Sequence, residues 1–449
     1  MRNQTMLDGA VVFVVIIGSV IIGGVTILSV RGFWQRLMLL GFLSGLFLYS
    51  GIGAAYKEVP SYYLFYYFGF LFIFCVAFWF WKTAFSGASI RSGPVLTRTL
   101  ADVDHNSWWQ IIIWAFLLLH LIPLLYPDFR LHWLLAPPAL DIRLFWFELF
   151  QPREKDILLK LVEYGRLLLT PFFYIALFRY RQRMRWVILF FSLLLYIQYV
   201  VNGGYIGRGT VMMTLMLIGI ILWVNRPRHR TALIFGATVL LPVILIASYM
   251  HSVVRIGGTI DYLSPMDAIV TTLEQETGFV RNVGMTIIEG GYRAELKDYV
   301  KWIVTLPIPK YFTGEIEGAR INYEIAEIIL GIGRGEKGWT VSLAGLVSES
   351  VYLFGSYFFW LHAIFIAFIA ALLIRLIERT PQLLFLQAYV VLLFSYVLNR
   401  AGIGSLLPII VNEFLLFYLY VSISVFRLVR KQYKLPEQRW KQPVAERRA

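Results

Sequence analysis

Residues 179–230 read RYRQRMRWVILFFSLLLYIQYVVNGGYIGRGTVMMTLMLIGIILWVNRPRHR. Two apolar runs, 185–202 and 209–225, are each close to the ~20 helical residues that cross a hydrocarbon core of about 30 Å. A short turn from Asn202 to Thr210 joins them. Arg179, Arg181, Arg183 and Arg185 precede the pair, and Arg226, Arg228 and Arg230 follow it. A hairpin of spans that returns both positive ends to one side is what the accumulation of Lys and Arg in cytoplasmic loops predicts.

The same ruler laid along the chain gives eleven candidate spans: 9–30, 37–55, 62–82, 108–126, 157–178, 185–202, 209–225, 231–250, 343–374, 382–398 and 405–426. The 343–374 run is too long for one straight crossing and reads as starting with a broken piece. The first run lacks the short core and small-residue cleavage site of a signal peptide, so it reads as retained. The composition agrees: of 449 residues, 59% are hydrophobic, 17% aromatic and only 15% charged. That excludes a soluble dinucleotide enzyme, a disulfide scaffold and a disordered chain. The expected fold class is all-α, a polytopic integral membrane protein.

The net charge of +14 would suggest nucleic acid in a soluble protein. In a membrane protein it follows from cytoplasmic loops instead, and no nucleic-acid partner is expected. Arg31 and Arg36, Lys82 with Arg91 and Arg98, the two arginine clusters above, Arg375 with Arg379, and the basic tail all fall on one side of an eleven-span chain. That side is then cytoplasmic and includes the C-terminus. The chain divides into spans one to eight over 1–250, with an external interfacial helix expected within 127–156. A large external loop covers 251–342, spans nine to eleven cover 343–426, and a basic cytoplasmic tail covers 427–449. Within the large loop, 292–301 and 321–330 read as short amphipathic helices.

Candidate chemistry collects on the external side. Arg208 opens a span after Gly203 and Gly204, where glycine permits close backbone approach and a helix start favours an anion; the alternative is an arginine reaching for the interface. Arg400 sits in the short external turn Asn399 to Gly404. Arg281, Lys310 and Arg320 lie in the large loop among many other charges that also suit plain solvation. A guanidinium cluster there fits a phosphate or diphosphate. Glu276 and Glu349 are the carboxylates suited to general-base work, with Glu349 alternatively a buried partner for an arginine. Glu163 and Arg166, three apart on one span, suit a mutual pair, and Glu413 in the last span has either role. His251 at the start of the loop suits acid–base chemistry or structure.

Other signals carry less. Gly333 to Gly338 matches G-x-G-x-x-G but follows no strand, so no dinucleotide is expected. Gly41 and Gly45 suggest close helix packing. The single cysteine, Cys75, excludes an intrachain disulfide and a cysteine-based metal site. The six histidines form no metal motif, so neither a metal nor a cofactor is expected.

Three stretches together resemble the Wzy-type polymerases of O-antigen and enterobacterial common antigen: Gly203-Gly204 through Arg208; Leu306-Pro307-Ile308-Pro309 through Arg320-Ile321-Asn322-Tyr323 to Leu346, Glu349 and Gly355; and Leu398-Asn399-Arg400-Ala401-Gly402. The likeness covers about residues 200–405; Gly204 and Arg208 stand further apart than in the common-antigen branch. The resemblance implies a GT-C-like, metal-independent glycosyltransferase of the bacterial inner membrane that joins oligosaccharide units carried on undecaprenyl diphosphate. It implies Arg208, Arg320 and Arg400 on the diphosphate, Glu349 or Glu276 as base, and Arg281, Lys310, Asn322, Tyr323, Gly204 and Tyr205 as further substrate contacts. Membrane lipids, a chain-length regulator and a flippase are the implied partners. An O-antigen ligase acting on lipid A–core, or a transporter of the lipid-linked sugar, are the alternatives. A transporter predicts charges along the spans and internal repeats, whereas the charges gather on one face.

Overall fold

The structure, a computed structural model, describes residues 7–87, 100, 103, 106–139, 144–255, 264–278, 280–308, 321–333, 342–377, 380–424 and 426–427. Among them the protein is all-helical, with one isolated antiparallel bridge between Leu7 and Tyr56. The helices of nine or more residues are α1 (Gly9–Leu28), α2 (Phe33–Leu46), α3 (Tyr62–Gly87), α4 (Trp108–Leu121), α5 (Ile157–Leu177), α6 (Met184–Val201), α7 (Arg208–Asn225), α8 (Arg230–Arg255), α9 (Pro265–Thr277), α10 (Leu296–Thr305), α11 (Ile321–Leu330), α12 (Leu346–Phe358), α13 (Trp360–Ile377), α14 (Leu384–Leu392), α15 (Leu398–Pro408) and α16 (Leu415–Ser424).

Eight helical runs among the described residues are long and apolar enough to cross a membrane: Gly9–Leu28, Phe33–Ala55, Tyr62–Phe85, Ile157–Tyr180, Met184–Val201, Arg208–Asn225, Pro227–His251 and Leu384–Glu413. The chain is a polytopic membrane protein. Trp108–Leu124, Trp360–Arg375 and Leu415–Ser424 are shorter apolar helices inside stretches where the sequence suggests full spans.

Three expectations change. The 343–374 run is two helices, α12 and α13, and α12 itself breaks at Gly355 (φ 73°). The expected spans 382–398 and 405–426 meet without a gap: helical residues run from Leu384 to Glu413, but two helices join there at a non-helical break at Gly402, inside the turn expected at Asn399–Gly404. The 127–156 segment is not one helix. It consists of short turns, Leu131–Leu134, Leu144–Phe150 and Gln151–Lys155, in a stretch where Pro127, Pro137, Pro138 and Pro152 interrupt amide donation. In the long 251–342 stretch, α11 occupies the expected residues, while α10 starts four residues late, beyond the turn at Gly290 and Gly291 and with Glu295 as its N-cap.

The core grows from large side chains on nearly uniformly apolar helices. α3 packs along α13, where Trp81 meets Phe368 at 5.1 Å between ring centroids. α4 and α5 join through the stacked Phe116 and Phe173, 4.3 Å apart. α2 lies against the π-helical turn Leu393–Val397 between α14 and α15. A Cβ at Gly41 or Gly45 would strike Ser395, and Gly45 also faces Asn399, so these glycines serve close helix packing. The π-turn leaves carbonyls out of register. Asn399 Nδ2 donates to Phe394 and Ser395 at 3.1 Å each, and to Phe42 on α2 at 3.0 Å. A single side chain thus repairs the turn and ties two helices together. Cys75 is buried and free.

Candidate functional site: an arginine and carboxylate cluster around Tyr396

The break in α15 organises the region. Gly402 has φ 70° and ψ −172°, backbone that an L side chain adopts only with strain. The break frees the amides of the next turn, and Glu349 on the first turn of α12 collects them. Ile403 N–H donates to its Oε2 at 2.7 Å and Gly404 N–H to its Oε1 at 3.0 Å. A Cβ on Gly402 would fall on the carboxylate itself. Glu349 is only 2% exposed. Burying a carboxylate is costly without compensating donors, and two amides at a half-helix start supply them together with the favourable end of its dipole. Glu349 is therefore an internal cap. Both of its oxygens are engaged by backbone, and its partner is not an arginine.

Two residues before the break stands Arg400. Its Nε donates to Glu276 Oε2 at 2.9 Å and its Nη2 to Glu276 Oε1 at 3.1 Å, a two-pronged pair between α15 and the last turn of α9. The guanidinium also lies 5.7 Å from the centre of the Tyr396 ring. Tyr396 reaches toward the start of α7, where its hydroxyl stands 3.4 Å from the position a Cβ on Gly209 would take. Arg208, the first residue of α7, extends Nη1 to the carbonyl of Ser248 on α8 at 3.5 Å. The charges of Arg400, Glu276 and Arg208 all act on the Tyr396 hydroxyl, and those of Glu276 and Arg400 also act on Tyr49. The structure thus brings Arg208, Arg400 and Glu276 around one tyrosine. Two positive groups and one negative group leave an excess positive charge there.

The other candidates occupy varied surroundings. Asn322 on α11 donates to the carbonyl of Ala401 at 3.1 Å and to Ser405 Oγ at 2.8 Å, so α11 is fastened across the Gly402 break. Tyr323 is half-buried on the same helix. Arg281 lies over the Tyr56 ring at 4.9 Å, donates from Nε to Asn282 at 3.1 Å and sits 4.0 Å from Glu58. Tyr56 in turn bonds Thr277, the residue after Glu276, at 2.8 Å. Arg281 therefore borders the cluster through Tyr56 and Thr277. Lys310 and Arg320 lie outside the described residues, as do Arg334, Lys337 and the rest of the Gly333–Gly338 motif beyond its first residue, the loop arginines Arg91, Arg98 and Arg379, and the tail from 428 onward.

Gly204 behaves differently from the sequence expectation. Its φ of 79° ends α6, but the backbone that comes close is that of Pro138 and Ala139, where a Cβ would collide. The glycine pair seats the 127–156 segment instead of opening space for a ligand. Arg153 from that segment secures the same corner, donating to Asn202 Oδ1 at 3.3 Å and to the Val201 carbonyl. Burial, reinforced by the charges of Arg166 and Arg130, pushes Arg153 down to about 10. Tyr205 stacks on Phe145 at 4.5 Å and meets His251 at 5.7 Å. These aromatics hold the segment to α8.

The sequence reasoning missed Tyr396 and Tyr49. The four-residue spacing of Tyr396 and Arg400 is the one signal that points to their contact. Tyr49 carries none, since it stands among aromatic residues that anchor spans everywhere in this chain. Among the described residues no group of His, Cys, Asp and Glu could hold a metal ion. No family model matches the chain, and no curated protein or solved structure matches it.

Proposed function

We propose that the chain is a polysaccharide polymerase that joins oligosaccharide repeat units carried on undecaprenyl diphosphate, working at the outer face of a bacterial inner membrane. Arg400 against Tyr396, whose hydroxyl reaches the helix start that Arg208 opens, is the observation that carries the proposal. Two guanidinium groups from remote stretches of chain, one of them opening a long helix, favour a doubly charged oxyanion over any neutral ligand. A sugar joined to diphosphate breaks at its C1–O bond, and the electron pair stays on the diphosphate oxygen. Arginines placed there stabilise that charge as it develops. Glu276, on the rim of the cluster, takes the proton of the attacking hydroxyl. The buried cap Glu349 holds the broken helix that carries Arg400. Asn322 braces the same break, and Arg281 lines the approach.

In this proposal the architecture is GT-C-like, with the three short apolar helices completing eleven crossings and the C-terminus cytoplasmic. The hydrophobic faces between helices accept the prenyl chain. No cofactor takes part, and a flippase and a chain-length regulator act before and beside the enzyme.

The direct test supplies purified protein with a synthetic polyprenyl-diphosphate repeat unit and reads the products by gel and mass spectrometry. The expected product is a ladder of repeats with release of polyprenyl diphosphate. R208A and R400A, expressed to parental levels, reduce it to the single starting unit. Unchanged lipid-linked substrate from the parent protein, or ladders of normal length from both variants, would remove the assignment. Transfer to lipid A–core with no ladder would make the protein a ligase.

A further inference from the structure

An ion pair that fills an anion site has to open before another anion can enter. Arg400 commits Nε and Nη2 to the two oxygens of Glu276, the forked geometry with which a guanidinium also grips a phosphoryl group. The pair is not sealed inside the fold, with 22% of the arginine and 21% of the glutamate side chain exposed. Glu276 lies in the last turn of α9, where the negative end of the helix dipole disfavours a carboxylate. Arg208, by contrast, stands at the first position of α7, where the dipole favours an anion. The two helix ends push in the same direction. They weaken the resident carboxylate and strengthen a ligand that bridges Arg400 and Arg208.

We propose that Glu276 is a resident stand-in for the diphosphate, and that the substrate binds by exchange, displacing Glu276 from Arg400. The inference rests on the diphosphate site proposed above. While the donor is absent, Glu276 is held by Arg400 and cannot accept a proton. When the diphosphate takes the guanidinium, the carboxylate is released beside the reacting carbon. The acceptor hydroxyl oxygen then bonds to C1, its proton passes to Glu276, and the C1–O bond breaks with its electrons leaving on the diphosphate. Base activation is thereby tied to donor binding. Glu349 cannot play this part, because its partners are buried amides of the fold.

The test measures binding of inorganic pyrophosphate to the full-length protein in nanodiscs by calorimetry, comparing the parent, E276Q, E276D and the double variant E276Q/R400A. Removing the competing charge in E276Q tightens pyrophosphate by about fivefold, the worth of a partly exposed ion pair. E276D, whose shorter side chain reaches the fork poorly, falls between, and it serves alone if E276Q does not fold. The double variant loses the gain. Turnover of the polyprenyl-diphosphate unit falls in E276Q even though pyrophosphate binds more tightly. Parent and E276Q binding pyrophosphate equally, or E276Q binding it more weakly, sinks the exchange and leaves the diphosphate site standing. Absence of pyrophosphate binding in every variant sinks both.

Discussion

Glu276 and Glu349 are the two carboxylates that suit general-base work, and the fold gives them opposite surroundings. Glu276 is partly exposed, on the wrong end of its own helix, against a guanidinium. Glu349 is enclosed, at the right end of a half-helix, against two amides. A carboxylate held by a partly exposed side chain can exchange partners at modest cost. One held by backbone inside the core cannot, because its release would orphan both the charge and the donors. Under the proposed function, burial and the polarity of the nearest helix end divide the two residues into a reactive one and a structural one.

The largest effect is expected where the reactive side loses its cation. R400A removes the forked donor and frees Glu276 as an unpaired charge. Activity on the lipid-linked unit should fall by about a hundredfold or more, the usual consequence of losing a group that stabilises developing negative charge. The thermal midpoint should move little, since the pair is partly exposed. A full loss of the folded protein instead would place Arg400 with Glu349 on the structural side.

E349A tests the other half. It leaves the amides of Ile403 and Gly404 without their acceptor in a buried place, and stability should drop by roughly 3 kcal/mol. E349Q, which keeps one good acceptor oxygen, should recover part of it. Thermal unfolding in detergent reads both. Parental stability together with abolished turnover would make Glu349 a chemical group and erase the contrast. G402A attacks the same cap from the other side. Its methyl group would overlap the Glu349 carboxylate and force an L residue to positive φ, for a cost of about 2 kcal/mol. A stable G402A would mean that the break is not held by this contact.

Much of the scaffold is legible from residue order alone. Uniform apolar runs must become helices in a bilayer because the backbone has no other partner there, and most long helices fall where the runs do. α11 is legible because its apolar residues recur at helical spacing. The breaks are not legible. Gly402 and Gly355 sit in the same composition as ordinary span glycines, and a break depends on what fills the freed amides. Glu349 is 54 positions from Gly404, so the cap belongs to the assembled fold. The pairing of Glu276 with Arg400, 124 positions apart, is invisible for the same reason. Arg208 and Arg400 can be singled out as arginines on the side expected to be poor in positive charge; their common neighbour Tyr396 cannot. Gly204 shows the converse error, where a residue suited to close approach meets another loop of its own chain.

The smallest expected effect separates support of the break from participation in the chemistry. Asn322 donates two hydrogen bonds across it, to Ala401 and Ser405, and all three residues are only half-buried. N322A should therefore cost about 1 kcal/mol of stability. If its only role is to steady the turn after Arg400, the loss appears in the thermal midpoint and as a few-fold fall in kcat with KM for the lipid-linked donor unchanged. A KM that rises while the midpoint stays at the parental value would instead place Asn322 on the sugar, and the structural side of the comparison would then consist of Glu349 and Gly402 without it.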